Sequence, residues 1–276
     1  PCSFAVGASY RACRGQRMEG DFRYWSTLTE AQQTAFLASY VSTLDSGYQW
    51  RKTTITYSFP SFPTGEEYLP YVPAGETLRF SPLDAQEKAY VRFFFSYIES
   101  FLNLDFQEVS GAAGDIVIAQ HNMDVAGYAD LPGDFSKSGM FLADDVQSTE
   151  FGDFAYTVLT HEIGHLLGLE HSRAYDGEIR PNPSLPVQYD TTLMSVMSYS
   201  DMVNLAAGKY VSALMPLDIA ALMDMYGARA STENNVFRVV DGYPMPTHSG
   251  NTWTISGNVP FTVVDTGGFD TIDASA

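Results

Sequence analysis

Cysteine, histidine and positive charge are all scarce in this chain of 276 residues. It holds two cysteines, five histidines, and 15 Lys+Arg against 33 Asp+Glu, for a formal net charge of −18. Two cysteines cannot staple a disulfide scaffold. The negative balance excludes nucleic acid as a natural partner, because phosphate binding needs a basic patch, and it argues against anionic membrane surfaces. No run approaches the roughly 18 apolar residues of a membrane span, so no membrane association is expected. What is abundant is apolar: 45% of residues are hydrophobic and 14% aromatic. That is ample core for one large domain or two smaller ones, and a monomer is expected.

The scarce histidines are not scattered. Three of the five fall in residues 161–171, His-Glu-Ile-Gly-His-Leu-Leu-Gly-Leu-Glu-His. On a helix, positions i and i+4 share a face about 6 Å apart, so His161 and His165 both reach one Zn²⁺ at about 2.0–2.1 Å. Gly168 is placed to end that helix in a left-handed turn and return His171 to the metal. Three neutral imidazoles leave one coordination position open, as catalytic zinc requires. Glu162, between the first two ligands, is the expected general base. His-Glu-x-x-His alone turns up by accident, but the extended string with its third histidine does not. A Met-turn accompanies the string in metzincin proteases, and Ser195-Val196-Met197-Ser198-Tyr199 supplies one.

From these motifs the chain resembles the serralysins, secreted bacterial metzincins. The likeness also takes in Leu217-Asp218-Ile219-Ala220-Ala221, Tyr226-Gly227-Ala228, Gly47-Tyr48 and Thr56-Tyr57-Ser58-Phe59, and covers most of residues 40–230. One departure is Ser172, a matrixin residue where serralysins usually carry proline; Tyr199, which matrixins lack, and the residues beyond 255 favour the serralysin side. The resemblance implies an α+β metzincin domain: a twisted, mostly parallel sheet backed by helices, with an active-site helix and a Met-turn. It implies that Met197 forms an apolar floor beneath the imidazoles. It further implies that Tyr199 is a zinc ligand that swings away when substrate binds and then donates to the oxyanion. Gly127-Tyr128-Ala129-Asp130-Leu131-Pro132 looks like the edge strand along which serralysins bind peptide, making Tyr128 and Ala129 substrate-binding candidates; an ordinary surface strand is the plain alternative. The family is extracellular, and Pro1 in place of an initiator methionine fits a processed chain.

The expected organisation is an N-terminal extension or propeptide remnant over residues 1–25, a protease domain over 26–229, and a β-rich segment over 230–276. Residues 1–25 show no clear period. Thr29 is placed to cap a helix running to about Leu44. Thr53 to Phe59 alternates as a strand, and a proline-punctuated loop follows through Pro82. Apolar spacing predicts a long helix from Asp84 to about Asn103, then short strands at 104–109, 115–120 and 140–143. Helices are expected over 154–169 and 216–226, the second with proline in its first turn. Beyond Arg229, Thr, Val, Gly and Asp with alternating apolar residues predict strands. Asp265-Thr266-Gly267-Gly268-Phe269-Asp270 resembles the entry to the calcium β-roll that follows the serralysin protease domain. Asp265, Gly267, Gly268 and Asp270 would give Ca²⁺ the oxygen ligands it prefers; an ordinary β-turn is the competing reading.

Cys2 and Cys13 leave two readings open: a small disulfide closing the N-terminal loop, or a thiolate, Cys13, occupying the open zinc position of a zymogen. His121 and His248 read as ordinary core or surface histidines. For the whole chain the expectation is a secreted endopeptidase with zinc, structural calcium and polypeptide substrates. Two other readings stand beside it: an autoinhibited or non-catalytic module that grips peptides by strand addition, and a structural or adhesive protein whose zinc only stabilises the fold.

Overall fold

The computed structural model describes residues 9–12, 28–61, 79–111, 113–133, 137–146, 150–175, 182–200, 209–242 and 244–275. Cys2 and Cys13 lie outside them. A six-stranded sheet forms the centre. Four of its strands run parallel: β2 (Thr54–Ser58), β4 (Asp105–Glu108), β5 (Ile116–His121) and β7 (Ser138–Ala143), in the order β4-β2-β5-β7. Two short strands run against them. β6 (Gly127–Ala129) pairs with β7 at the sheet edge, and β3 (Phe80–Ser81) pairs with β5. All six residues of β5 and of β7 are buried, as expected of parallel strands covered on both faces.

Four α-helices occur among the described residues. α1 (Glu30–Tyr40) starts in a capping box between Thr29 and Gln32 and continues as a 3₁₀ turn over Val41–Thr43. α2 (Ala85–Glu99) begins the same way: the Asp84 carboxylate accepts from the Gln86 and Glu87 amides, and Glu87 reaches back to the Asp84 amide. α2 is sandwiched. Toward the sheet, Phe95 stacks on Phe106 at 4.2 Å. On its other side Phe93 meets Trp253, Tyr97 packs on Phe261 at 4.9 Å, and the Tyr97 hydroxyl donates to the Thr262 carbonyl. Aromatic pairs of this kind add about 0.5–1.5 kcal/mol each beyond their buried area. The result is one continuous apolar cluster that includes Phe237, Trp253, Ile255 and Phe261 together with the sheet.

Beyond Arg229 the chain forms strands, as its composition predicts: β8 (Val236–Val240), β9 (Thr247–Ser249), β10 (Thr252–Ser256), β11 (Thr262–Asp265) and β12 (Thr271–Asp273). A four-stranded sheet of order β12-β8-β10-β9 has three parallel members and one antiparallel edge. β11 pairs instead with β1 (Ser9–Ala12), antiparallel, Ser9 opposite Asp265. A strand therefore occurs inside the segment expected to be extended or partly ordered, and β3 occurs in the loop expected to be irregular. Both owe their form to a distant partner rather than to local pattern. α3 (Phe154–Leu166) ends three residues short of expectation, for a reason given below, and α4 (Pro216–Tyr226) has the predicted bounds. This mixed α/β arrangement is compatible with a metzincin domain. No helix among the described residues is long and apolar enough to cross a membrane.

Candidate metal centre

α3 is a buried helix. Eleven of its residues are buried, including His161 and Glu162, so its polar side chains must find partners or a ligand. Thr160 finds the Tyr90 hydroxyl, which also donates to the Ser212 carbonyl. The histidines find backbone. His161 Nδ1 lies 2.9 Å from the Val196 carbonyl and His165 Nδ1 lies 2.7 Å from the Leu169 carbonyl. A ring that donates from Nδ1 keeps its lone pair on Nε2, and this outer contact fixes both tautomer and orientation.

Those Nε2 atoms converge. His171 Nε2 lies 3.2 Å from that of His161 and 3.2 Å from that of His165. No other group of three or more His, Cys, Asp or Glu with this metal-holding geometry occurs among the described residues. Burial lowers the His161 pKa to about 4, against the Val196 hydrogen bond, and drives His165 well below the ordinary imidazole value. Both rings are therefore neutral at pH 7 and able to ligate. Three nitrogens that close would otherwise set lone pairs against one another, so the cluster fits a soft-to-borderline cation such as Zn²⁺.

The third histidine arrives by a defined turn. Gly168 has φ +93°. Its amide bonds the His165 carbonyl and the Leu169 amide bonds the Gly164 carbonyl, the hydrogen-bond pair of a Schellman cap. That turn is why the helix stops at Leu166. The chain is then gripped from outside: the Ser46 amide donates to the Gly168 carbonyl and the Glu170 amide to the Leu44 carbonyl. Trp50 Nε1 and the Tyr226 hydroxyl take the otherwise orphaned Leu166 and Leu167 carbonyls. A Cβ at Gly168 would stand 2.1 Å from the Tyr48 carbonyl oxygen. Gly168→Ala should therefore cost more than about 2 kcal/mol, from positive φ and overlap together. The check is the urea unfolding midpoint of the zinc-free variant; an unchanged midpoint would contradict this reading of the turn.

The Met-turn packs against this helix. Asp218 in α4, fully buried, accepts from Ser195 Oγ at 2.6 Å, the Val196 amide at 2.9 Å and the Met215 amide at 2.7 Å. Burial pushes its carboxyl up to about 7 against the pull of those three donors. Met197 is fully buried, and a Cβ on Gly164 would lie 2.5 Å from its sulfur. Only glycine at 164 lets the thioether sit directly under the helix, between the two ligating positions. The Met197 carbonyl also accepts the amide of Ser172, next to His171. Met-turn and third ligand are thereby tied together.

Glu162 stands apart from the histidines' partners. Its Oε2 is buried and has no hydrogen-bond partner among the described residues, and burial alone raises its carboxyl to about 8. An uncompensated buried carboxylate is costly, and a cation beside it brings the pKa back down. The other candidates lie around this centre. Tyr199 is 42% exposed, and its ring stacks over that of His161 at 5.3 Å and 22° and lies 4.6 Å from the His171 ring. Edge strand β6 passes α3 at Gly127, where an added Cβ would meet Val158 and Glu162 Cγ. Tyr128 and Ala129 follow at once on that edge, Tyr128 packing on Phe141 and His121. The structure thus brings together His161, His165, His171, Glu162, Tyr199 and Met197, with Tyr128 and Ala129 alongside.

Asp265, Gly267, Gly268 and Asp270 sit elsewhere, after β11. Asp265 Oδ1 accepts the Gly267 amide, and Asp270 Oδ1 accepts the Asn235 amide while its Oδ2 has no partner among the described residues. His248 stacks flat on Trp253 at 3.6 Å and His121 is fully buried, so neither joins the metal cluster. Sequence reasoning missed the buried carboxylate Asp190. It binds Ser172, Tyr175 and Ser198, and a lone aspartate between Tyr189 and Thr191 carries no motif to reveal it.

An active-site helix with three convergent imidazoles, an orphaned glutamate and a Met-turn beneath them defines a metzincin-type centre. No family model matches the chain. Among curated proteins, Serralysin B of Dickeya chrysanthemi is 28% identical over 248 residues, 82% of this chain and 49% of that protein. Serralysin A of the same organism is 30% identical over 222 residues, 74% of this chain and 46% of its own length. The metalloprotease AprA of Pseudomonas entomophila is 30% identical over 190 residues, 61% of this chain and 39% of its own. The chain is a serralysin-like metzincin, and it spans about half the length or less of these relatives.

Proposed function

We propose that this chain is a secreted zinc endopeptidase that hydrolyses peptide bonds in polypeptides with Glu162 as general base. The observation that carries the reading is the convergence of three Nε2 atoms beside a buried carboxylate oxygen that nothing else satisfies. His161, His165 and His171 would hold the ion. Zn²⁺ bound there would supply Lewis acidity and lower the pKa of the attacking water. Glu162 takes up the proton of that water and delivers it to the leaving amine. Tyr199, poised over two of the imidazole rings, would serve as a further zinc ligand at rest and would donate its hydroxyl to the oxyanion. Strand β6 accepts an extended peptide by main-chain pairing, with Tyr128 and Ala129 lining the run-in to Glu162. Backbone pairing makes no demand on sequence, so broad specificity follows.

The names of its relatives, a serralysin and a metalloprotease, support action on polypeptides, and the acidic balance of the chain fits the secreted, monomeric enzyme of this reading. Residues 26–229 would form the protease domain and 1–25 an extension held by β1 against β11. The segment 230–276 would be the entry to a calcium β-roll. Supporting the calcium are the unpaired Asp270 oxygen and a carboxyl raised by burial and then by the neighbouring Asp265 charge.

The test is to incubate the full chain with a denatured protein, in three arms: as purified, stripped by a zinc chelator, and stripped then given Zn²⁺. Fragments are followed by mass spectrometry. Cleavage lost on stripping and regained with zinc is expected. Bound zinc with no cleavage would instead support the non-catalytic peptide-binding reading, and a sharp fall in thermal stability without prior activity would support a structural zinc.

A further inference from the structure

Tyr175 and Asp190 have no role in the reaction as described, yet they are wired into its centre. The Asp190 side chain is 1% exposed and pairs with Arg173 Nε at 3.6 Å. Its carboxylate accepts from Ser172 Oγ at 2.6 Å, Ser198 Oγ at 2.7 Å, Ser200 Oγ at 2.5 Å and the Tyr175 hydroxyl at 3.0 Å. Ser172 follows His171, and Ser198 and Ser200 flank Tyr199. One buried carboxylate therefore gathers the third ligand's loop and both neighbours of Tyr199, through hydrogen bonds strengthened by its charge.

Tyr175 carries this one step further. Its oxygen accepts the Tyr199 amide at 3.0 Å while its proton goes to Asp190. Its ring lies against the Tyr199 ring at 4.7 Å and 29°. Tyr199 is 42% exposed, so burial alone does not dictate where its ring points; besides the imidazoles it lies against, a fixed amide and the flat Tyr175 ring direct it. We propose that Tyr175, its hydroxyl anchored by Asp190, is the positioning residue for Tyr199, holding that phenol over His161 and His171. The inference rests on the reading of Tyr199 as oxyanion donor.

The test is a double-mutant cycle on the full zinc-loaded chain: wild type, Tyr175→Phe, Tyr199→Phe and the double variant, with turnover of a peptide substrate expressed per bound zinc. Normalising to zinc removes any misfolded fraction from the comparison. Tyr175→Phe keeps the ring and loses only the hydroxyl. Expected are an unchanged zinc content, kcat reduced about tenfold and KM changed less than about twofold, since misplacing a transition-state donor costs turnover rather than binding. In the Tyr199→Phe background the same change should have almost no further effect. Full kcat in Tyr175→Phe, or losses that multiply in the double variant, would overturn the proposal while leaving the donor reading intact. Full kcat in Tyr199→Phe would remove the donor reading, and this one with it.

Discussion

Replacing Glu162 with glutamine is expected to leave one zinc per chain and to cut proteolytic turnover by about 10²–10⁴-fold, the range a positioned general base contributes. The amide is isosteric, so the ligands, whose Nδ1 atoms are fixed by the Val196 and Leu169 carbonyls, have no reason to move. On the proposed mechanism, what is lost is the group that takes the proton from water and returns it to the amine. KM should change little, because the interaction belongs to the transition state rather than to peptide binding. Histidine replacements should behave differently: His165→Ala removes a ligand and should lose metal and activity together. The two measurements that check this are zinc content by atomic absorption and steady-state kinetics. Near wild-type turnover in Glu162→Gln would remove glutamate from the mechanism.

The largest stability effect is expected at Asp218. Truncation to alanine strips the acceptor from Ser195 Oγ and from the Val196 and Met215 amides, all in a fully buried setting. An unsatisfied buried donor costs about 1–3 kcal/mol, so Asp218→Ala should destabilise by roughly 3–5 kcal/mol, allowing for relaxation. For a chain of this size that is a fall in thermal midpoint on the order of 10 °C. The Met-turn would also loosen, so Met197 would no longer press on Gly164 and zinc affinity should fall with stability. Calorimetry of the zinc-free and zinc-loaded forms separates the two effects. A midpoint within a degree or two of wild type would mean that the carboxylate does not hold the turn.

What the sequence revealed, and what it hid, divides along chain separation. The ligand string is local, eleven residues on one helix and one turn, so its spacing alone implies the convergent Nε2 atoms. The helix starts at Thr29 and Asp84 were legible for the same reason, each lying three residues before the side chain that completes its capping box. The left-handed turn at Gly168 was legible too, being local; the helix bound of 169 overran it because the cap bonds close the last helical turn at Leu166, before the glycine. β1 was invisible because Ser9 pairs with Asp265, and β3 because two residues carry no period. The strands after 230 were legible from their alternation. Their sharing of Trp253 and Phe261 with α2 was not, since contacts at such a separation leave no local mark. Asp190 shows the limit most plainly: its significance lies in four hydroxyls from two loops that meet only in the folded chain.

The central claim is that three imidazoles hold zinc with a position left for oxygen, and X-ray absorption at the zinc edge of the purified full chain tests it most directly. Three nitrogen scatterers with imidazole signatures and one or two oxygens, all at about 2.0–2.1 Å, are predicted. A sulfur scatterer at about 2.3 Å would contradict the account, because it would put Cys2 or Cys13 on the metal in the place reserved for water and substrate.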